Sequence, residues 1–386
     1  MIKKQLIYSD CENLTLENDG VEVVKNIMEE EEVKILQQRF WEWLHFKTRH
    51  TKNPVIEKKH ETYVSIFELF PKHGMLLQHW DFGHNPISWT IRQNKKVIDK
   101  FSSIWKTSDL ITSFDGISVS LPPEITNRGW SRGEEWFHSD QCFKRNSFEC
   151  VQGLVNIFDV YEKDATLRFL KGSHKLHGDF QKKFQIEKST DWHLLNNEEK
   201  QFYIDHLGPD SDICVKAPAG SLVLWDSRTI HQGMEPQKER NQQSIRCTPY
   251  VCMVPRSQAS ENQIKKRIKY FEEQRTCNHW PHKIKVFGKK PRLYPGQTVP
   301  IVEKDSFEIT DLMKKLVGYD PTAWEASPPL PSDRGALLRT RSASTDRASP
   351  GGQLRWQGGT GGAQYKKEQK LILLKRDANG HYSKIK

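Results

Sequence analysis

The sequence predicts a mainly β chain, a barrel or jelly roll flanked by helices. Short apolar runs punctuated by Gly and Pro fill residues 148–255. Helical periodicity is strongest before and after that stretch. Beyond residue 321 the composition turns to Ser, Pro, Gly and Arg.

Taken in order, residues 12–28 read as a short strand after a turn at Asn18-Asp19-Gly20. Residues 29–47 read as a helix: acidic residues crowd its first turn, and Val33, Leu36, Phe40, Trp43 and Leu44 recur at helical spacing. A second helix is predicted across 91–108, with VIDKFSSIW as its apolar face. LITSFDGISVSLPPE reads as a strand ending at a proline pair. FECVQGLVNIFDV (148–160), ATLRFLKGSHK (165–175) and QSIRCTPYVCMVP (243–255) are each one strand. DICVKAPAGSLVLWDSRTIHQG (212–233) holds two, around a Pro-Ala-Gly turn. A polar helical insertion lies between Lys182 and Asp210, residues 258–275 form a charged helix, and 276–321 is expected to cover the outside. Residues 1–321 are therefore expected to form one domain. The tail, 322–386, cannot bury enough to fold and is expected to be disordered.

Composition narrows the function classes. With 386 residues, 36% of them apolar, and 12 Trp and 18 Phe, a substantial core is available. No apolar run is long enough to span a bilayer, and the first residues lack the apolar stretch of a secretory signal. Seven scattered cysteines without a CxxC pair fit neither a zinc finger nor a disulfide scaffold; reduced thiols in the cytoplasm are expected. Net charge is +10, but the tail carries 12 Lys+Arg against 5 Asp+Glu. The basic character thus belongs mainly to the tail, where nucleic-acid contact is conceivable; a basic core face is not indicated.

The stretch GEEWFHSDQCF (133–143) places His138 and Asp140 two apart, on one face of an extended backbone. Two histidines and one carboxylate make the facial triad of non-haem Fe(II). His231, at the end of the strand LVLWDSRTIH, is the candidate third ligand; Trp225, Ser227, Thr229 and His231 share one face, which is expected to line a cavity. A second pair, His177 and Asp179, follows a Gly-Ser turn and reads as loop. Ligand type alone leaves zinc, Mn(II) and Co(II) open. Arg246 sits in an otherwise apolar or small strand and needs an anionic partner. That partner is either the carboxylate of an oxo-acid, suited to its fork, or a buried Asp226 or Asp159. Arg240, in a polar loop, is expected to be solvated.

Three stretches resemble the phytanoyl-CoA dioxygenase family of Fe(II)/2-oxoglutarate-dependent oxygenases: DGVEVVKNIMEEEEVKIL; WFHSDQ followed by GLVNIFDVYEKDATLRFLKGSHK; and GSLVLWDSRTIHQG followed by SIRCTPY. The resemblance covers roughly residues 15–255. It departs at Lys171, where proline is common, and at Thr166, where glycine is frequent. It implies a double-stranded β-helix, a jelly-roll, cupin-like core. It also implies His138, Asp140 and His231 as catalytic iron ligands and Arg246 as the partner of the 2-oxoglutarate carboxylate. The cofactors implied are Fe(II) and the cosubstrates 2-oxoglutarate and O2. The implied reaction is hydroxylation of a small organic or acyl substrate, with succinate and CO2 released. A carboxylate at Asp140 favours hydroxylation or another oxidation over halogenation. A non-catalytic ligand-binding jelly roll and a cupin-type, non-oxidative metal enzyme are the alternatives. Gln152, Asn156 and Arg168 are further candidate contacts. The Lys and Arg cluster at 265–292 reads as a solvated helix face rather than a phosphate site.

Overall fold

The structure is a computed structural model; it describes residues 6–69, 75–288, 293, 296, 298–320, 374–376 and 382–384. The chain opens with β1 (Ile7–Ser9), the single-turn helix α1 (Leu16–Asp19) and β2 (Val21–Val24). Gly20 supplies the left-handed C-cap of α1, at φ 77°, where a side chain is disfavoured. The long helix α2 (Glu30–Thr48) begins with a capping box between Glu29 and Glu32, and it buries Val33, Leu36, Phe40, Trp43 and Leu44 as their spacing predicts. There follow β3 (Leu76–Leu77), α3 (Pro86–Arg92), α4 (Lys95–Trp105), β4 (Leu110–Thr112), β5 (Ile117–Ser120) and α5 (Pro123–Thr126). The predicted strand over LITSFDGISVSLPPE is thus two strands and a helical turn.

The barrel proper comprises β6 (His138–Ser139), β7 (Val151–Val155), β8 (Thr166–Leu170), β9 (His193–Leu194), β10 (Asp212–Val215), β11 (Leu222–Asp226), β12 (His231–Met234) and β13 (Arg246–Pro255). Helices α6 (His177–Phe184) and α7 (Asn197–Leu207) interrupt it; α8 (Glu261–Glu272) and α9 (Asp311–Val317) follow it. Two largely antiparallel sheets result. The minor sheet runs β1-β10-β8-β12-β6-β9, and the major sheet runs β2-β11-β7-β13-β5-β3, with β4 also on β13. This is the jelly-roll arrangement expected. The strand run 212–233 differs from expectation: it holds three strands, because the chain leaves the major sheet at Asp226, turns, and enters the minor sheet at His231.

Period-two alternation sorts the side chains. Val21, Leu154, Val223 and Trp225 from the major sheet meet Leu167, Phe169, Ile213 and Val215 from the minor sheet inside the barrel. The outer face of the major sheet, including Val151, Val155, Leu222, Leu224 and Val251, packs on α2, α3 and α4. The minor sheet is covered outside by Phe180, Phe202 and Tyr203 from α6 and α7. Residues 276–320 do not merely cover the surface: Cys277, Ile284, Phe307 and Met313 are buried against Trp89 and Phe114. Among the described residues no helix is long and apolar enough to cross a membrane. The disorder expected over 322–386 falls outside the described residues, apart from the paired strands β14 (Leu374–Arg376) and β15 (Tyr382–Lys384).

Candidate metal centre

His138 and His231 stand directly opposite each other on the antiparallel pair β6–β12. Cross-strand neighbours on one face are the closest pairs a sheet offers, and their ring centroids lie 4.4 Å apart. Asp140 follows β6 by one residue. Its Oδ1 lies 3.5 Å from His138 Nε2 and its Oδ2 lies 3.3 Å from His231 Nε2. Each of the three offers a ligand atom within 4.8 Å of the others, and all three are buried.

The imidazole tautomers are set by the backbone. His138 Nδ1–H donates to the Trp136 carbonyl at 3.2 Å, and His231 Nδ1–H to the Thr229 carbonyl at 2.9 Å. A carbonyl only accepts, so the proton sits on Nδ1 and both Nε2 lone pairs point inward. Burial and the neighbouring His231 hold His138 down at about 4. Burial raises Asp140, but the histidines at 279, 138 and 231 outweigh it and keep its carboxyl well below the usual range. A carboxylate facing two imidazole nitrogens is a donor set for a divalent ion.

Supporting contacts lock this geometry. Gln152 on β7 donates from Nε2 to Asp140 Oδ2 at 2.8 Å. Gln141, fully buried, accepts from Ser227 Oγ at 2.7 Å and so ties the turn after Asp140 to the turn before His231. Trp225 packs its ring 5.4 Å from that of His231. Gln152 was legible as a strand-face residue. Gln141 and His279 carry no pattern in the sequence, since their link to the site exists only in the folded chain.

Arg246 opens β13, opposite Ser120. It shares a strand face with Tyr250 and Cys252, the latter paired with Gln152. It is buried, donates from Nη1 to the Ala165 carbonyl at 2.8 Å, and approaches Ser118 Oγ at 3.4 Å. Among the described residues no carboxylate forms an ion pair with it. Asp226 is taken by Arg228, and Asp159 caps the Ala219 N–H, so neither alternative partner is used. Burial lowers its pKa from the ordinary value. Trp225 Nε1 and Thr248 Oγ1, on the same inward faces, and Asn156 Oδ1, just beyond β7, are buried without a partner among the described residues. A buried guanidinium without a carboxylate partner, and the unused donors Trp225 Nε1 and Thr248 Oγ1 on the inward faces, fit a polar, anionic ligand.

Other expectations need correction. Trp225, Ser227, Thr229 and His231 do not share one strand face, because the strand ends at Asp226. Arg168 lies on the outer face of the minor sheet, held by Asp212 and Glu135, since its neighbours Leu167 and Phe169 take the inward positions. Arg240 is not solvated; its side chain is 1% exposed and clamped by Glu124 and Asp164. His177 is buried against Phe143 and bonded to the Cys142 carbonyl, while Asp179 faces Lys182, so the second pair is structural. In the described part of the 265–292 cluster, Lys265 and Lys266 are exposed as expected. Arg267, however, is buried among backbone carbonyls.

A sequence model of the family described as phytanoyl-CoA dioxygenase (PhyH) matches residues 16–237. The Ava biosynthesis cluster protein O of Aspergillus versicolor is 29% identical over 211 residues, 53% of this chain and 66% of that protein; the chain thus spans just under two thirds of the length of this curated relative. Among solved structures, the GlcNAc Inducible Gene 2 protein of Candida albicans is 12% identical with a TM-score of 0.45, covering 66% of each chain. The α-ketoglutarate-dependent carbocyclase SnoK of nogalamycin biosynthesis is 12% identical with a TM-score of 0.37, covering 64% of this chain and 85% of its own.

Proposed function

The chain belongs to the phytanoyl-CoA dioxygenase family, and on that premise we propose that it is an Fe(II)- and 2-oxoglutarate-dependent oxygenase that hydroxylates a small organic substrate. The observation that carries this reading is the convergence of His138 Nε2, His231 Nε2 and an Asp140 oxygen on one buried point. His138, Asp140 and His231 would hold the metal on one face, and Arg246 would hold the distal carboxylate of 2-oxoglutarate. When bound, the iron and the keto acid supply the oxidising chemistry, releasing succinate and CO2.

The protein supplies position and charge. The carbonyls of Trp136 and Thr229 keep both imidazoles in the ligating tautomer. Gln152 fixes one carboxylate oxygen. The ring of Trp225 and the apolar barrel wall of Leu154, Leu167 and Phe169 exclude water from the ligand side chains. All seven cysteines are free and buried, which supports a reducing, cytoplasmic setting.

Anaerobic addition of Fe(II) and 2-oxoglutarate to metal-free protein tests the proposal. A weak visible charge-transfer absorption is expected, and it should vanish in Asp140→Ala while the circular dichroism stays native. Folded wild-type protein that binds Fe(II) without this absorption would defeat the reading.

A further inference from the structure

We propose that Trp136 and Trp192 form an aromatic gate that selects an uncharged, flat, ring-bearing organic substrate; the proposal rests on the oxygenase reading above. Both indoles contact the imidazole of His138, itself only 5% exposed, yet the tryptophans are 36% and 46% exposed. Trp136 stacks on His138 with centroids 4.9 Å apart and planes 7° from parallel. Its Nε1–H donates to the Gly233 carbonyl at 3.0 Å, and a Cβ added at Gly233 would stand 3.4 Å from its Cζ2. The ring is therefore seated on β12, beside a residue with no side chain to displace it.

Trp192 reaches the same imidazole from the insertion, at 5.9 Å and 40°. Its backbone has φ 68°, a left-handed conformation that bulky side chains rarely adopt and that persists only where the surroundings impose it. They do so here. Asp191 Oδ1 accepts from Cys142 N–H at 3.1 Å and from Arg145 Nη2 at 2.5 Å, and Lys188 Nζ donates to the Trp192 carbonyl. Next to it Leu194, 48% exposed, sits in register with His138 across β6–β9. This left-handed backbone leaves the indole half exposed beside the buried His138, where a ligand of the site can reach its free face.

Charge narrows the class. Cations bonded to the residues that flank the two tryptophans are already engaged: Arg168 and Lys200 with Glu135, Arg145 with Asp191 and Glu149, and Lys188 with the Trp192 carbonyl. A phosphate-bearing thioester requires cations that are free to pair. Aromatic faces beside neutralised charge favour a neutral π-system.

The test uses the full chain loaded with Mn(II) and 2-oxoglutarate, with Zn(II)-loaded protein as the diamagnetic control. 2-Naphthol and palmitoyl-CoA are the probes, read by proton relaxation. Manganese-dependent relaxation of the 2-naphthol ring protons is expected. It should weaken roughly three- to tenfold in Trp192→Ala, the loss of one aromatic contact, and recover in Trp192→Phe. Trp192→Gly should raise the melting temperature, because glycine accepts the left-handed backbone, while losing the probe. Equal relaxation in Trp192→Ala, displacement of 2-naphthol by palmitoyl-CoA, or a lower melting temperature in Trp192→Gly would each overturn the gate. Failure of the oxygenase reading looks different: wild type then binds 2-naphthol beside the metal but shows no Fe(II)/2-oxoglutarate absorption.

Discussion

His138 and His231 each place the Nδ1 proton on a carbonyl two residues back, which leaves Nε2 as the nitrogen that would meet a metal. This local device accounts for much of what was legible: a histidine two residues from an aspartate, and a second histidine on a strand opening at a turn. Arg246 stands out in the sequence because a guanidinium among apolar neighbours needs an anion, and among the described residues no carboxylate supplies one. Gln141 and Gln152 differ. Glutamine carries no charge to explain, and only the fold shows which carboxylate or hydroxyl it meets. Gln152→Leu removes the hydrogen bond to Asp140 Oδ2, and losses of this kind typically weaken metal binding about 10- to 100-fold. Anaerobic Fe(II) titration measures it; wild-type affinity in the variant would remove Gln152 from the site. Arg246→Met should raise the half-saturating 2-oxoglutarate concentration strongly in uncoupled succinate formation, with Fe(II) binding little changed. Arg246→Lys should recover only part, since an ammonium lacks the two-pronged geometry. An unchanged half-saturation in the Met variant would exclude Arg246 from cosubstrate binding.

Elements were read more reliably than their ends. α2 and the strands at 148–160 and 243–255 followed from periodicity and are present, though the first of these strands is shorter than its apolar run. The strand through His231 was read as continuous because nothing in LVLWDSRTIH breaks the pattern. What breaks it lies far off in sequence. Thr229 Oγ1 and the Asp226 N–H both donate to the Gly20 carbonyl, so the chain turns around the end of α1 and delivers His231 to the other sheet. The Asn-Asp-Gly signal was recognised as a turn, but its service to a histidine two hundred residues later was invisible. A Cβ at Gly20 would lie 2.5 Å from Thr229 Oγ1 and 2.6 Å from His174 Nδ1, on a backbone at φ 77°. Gly20→Ala should therefore cost about 2–4 kcal/mol, from overpacking and a left-handed alanine together. Because the clash falls on the turn that aims His231, it should also weaken Fe(II) binding in the fraction that folds. Urea unfolding and metal titration of one preparation check both; a stable variant with intact metal affinity would show that the turn relaxes harmlessly.

At the scale of the molecule, the family match ends at 237, but the fold does not. We propose a domain reaching about residue 320. Arg267 holds the carbonyls of Thr112, Pro281, Leu316 and Val317, so α8, α9 and β4 depend on one another. Removing residues after 320 should leave 2-oxoglutarate turnover intact, whereas removing those after 274 should abolish folding. Farther along, residues 303–305 cross α2 and bury a lysine between two carboxylates. Lys47 Nζ lies 3.0 Å from both Asp81 and Asp305, donates to the Glu303 carbonyl at 2.8 Å, and is fully buried with them. One cation cannot neutralise two anions at this depth. Burial, opposed by Lys47 but reinforced by Asp81, pushes Asp305 up to about 7 from 3.8. The folded chain then keeps a proton up to about pH 7 that the unfolded chain releases near pH 4. Between those values the native state binds more protons, so this group makes stability fall as pH rises, and its effect levels off above about 7. Asp305→Asn imitates the protonated carboxyl at every pH. The variant should therefore gain on wild type across pH 4 to 7, by up to about 4 kcal/mol, and the gap should be constant above that. Contributions from titrating groups remote from Asp81 and Lys47 are shared and cancel in the difference. Melting temperatures of the two proteins at matched pH measure it, and a gap that does not change with pH would mean that Lys47 neutralises both carboxylates unaided.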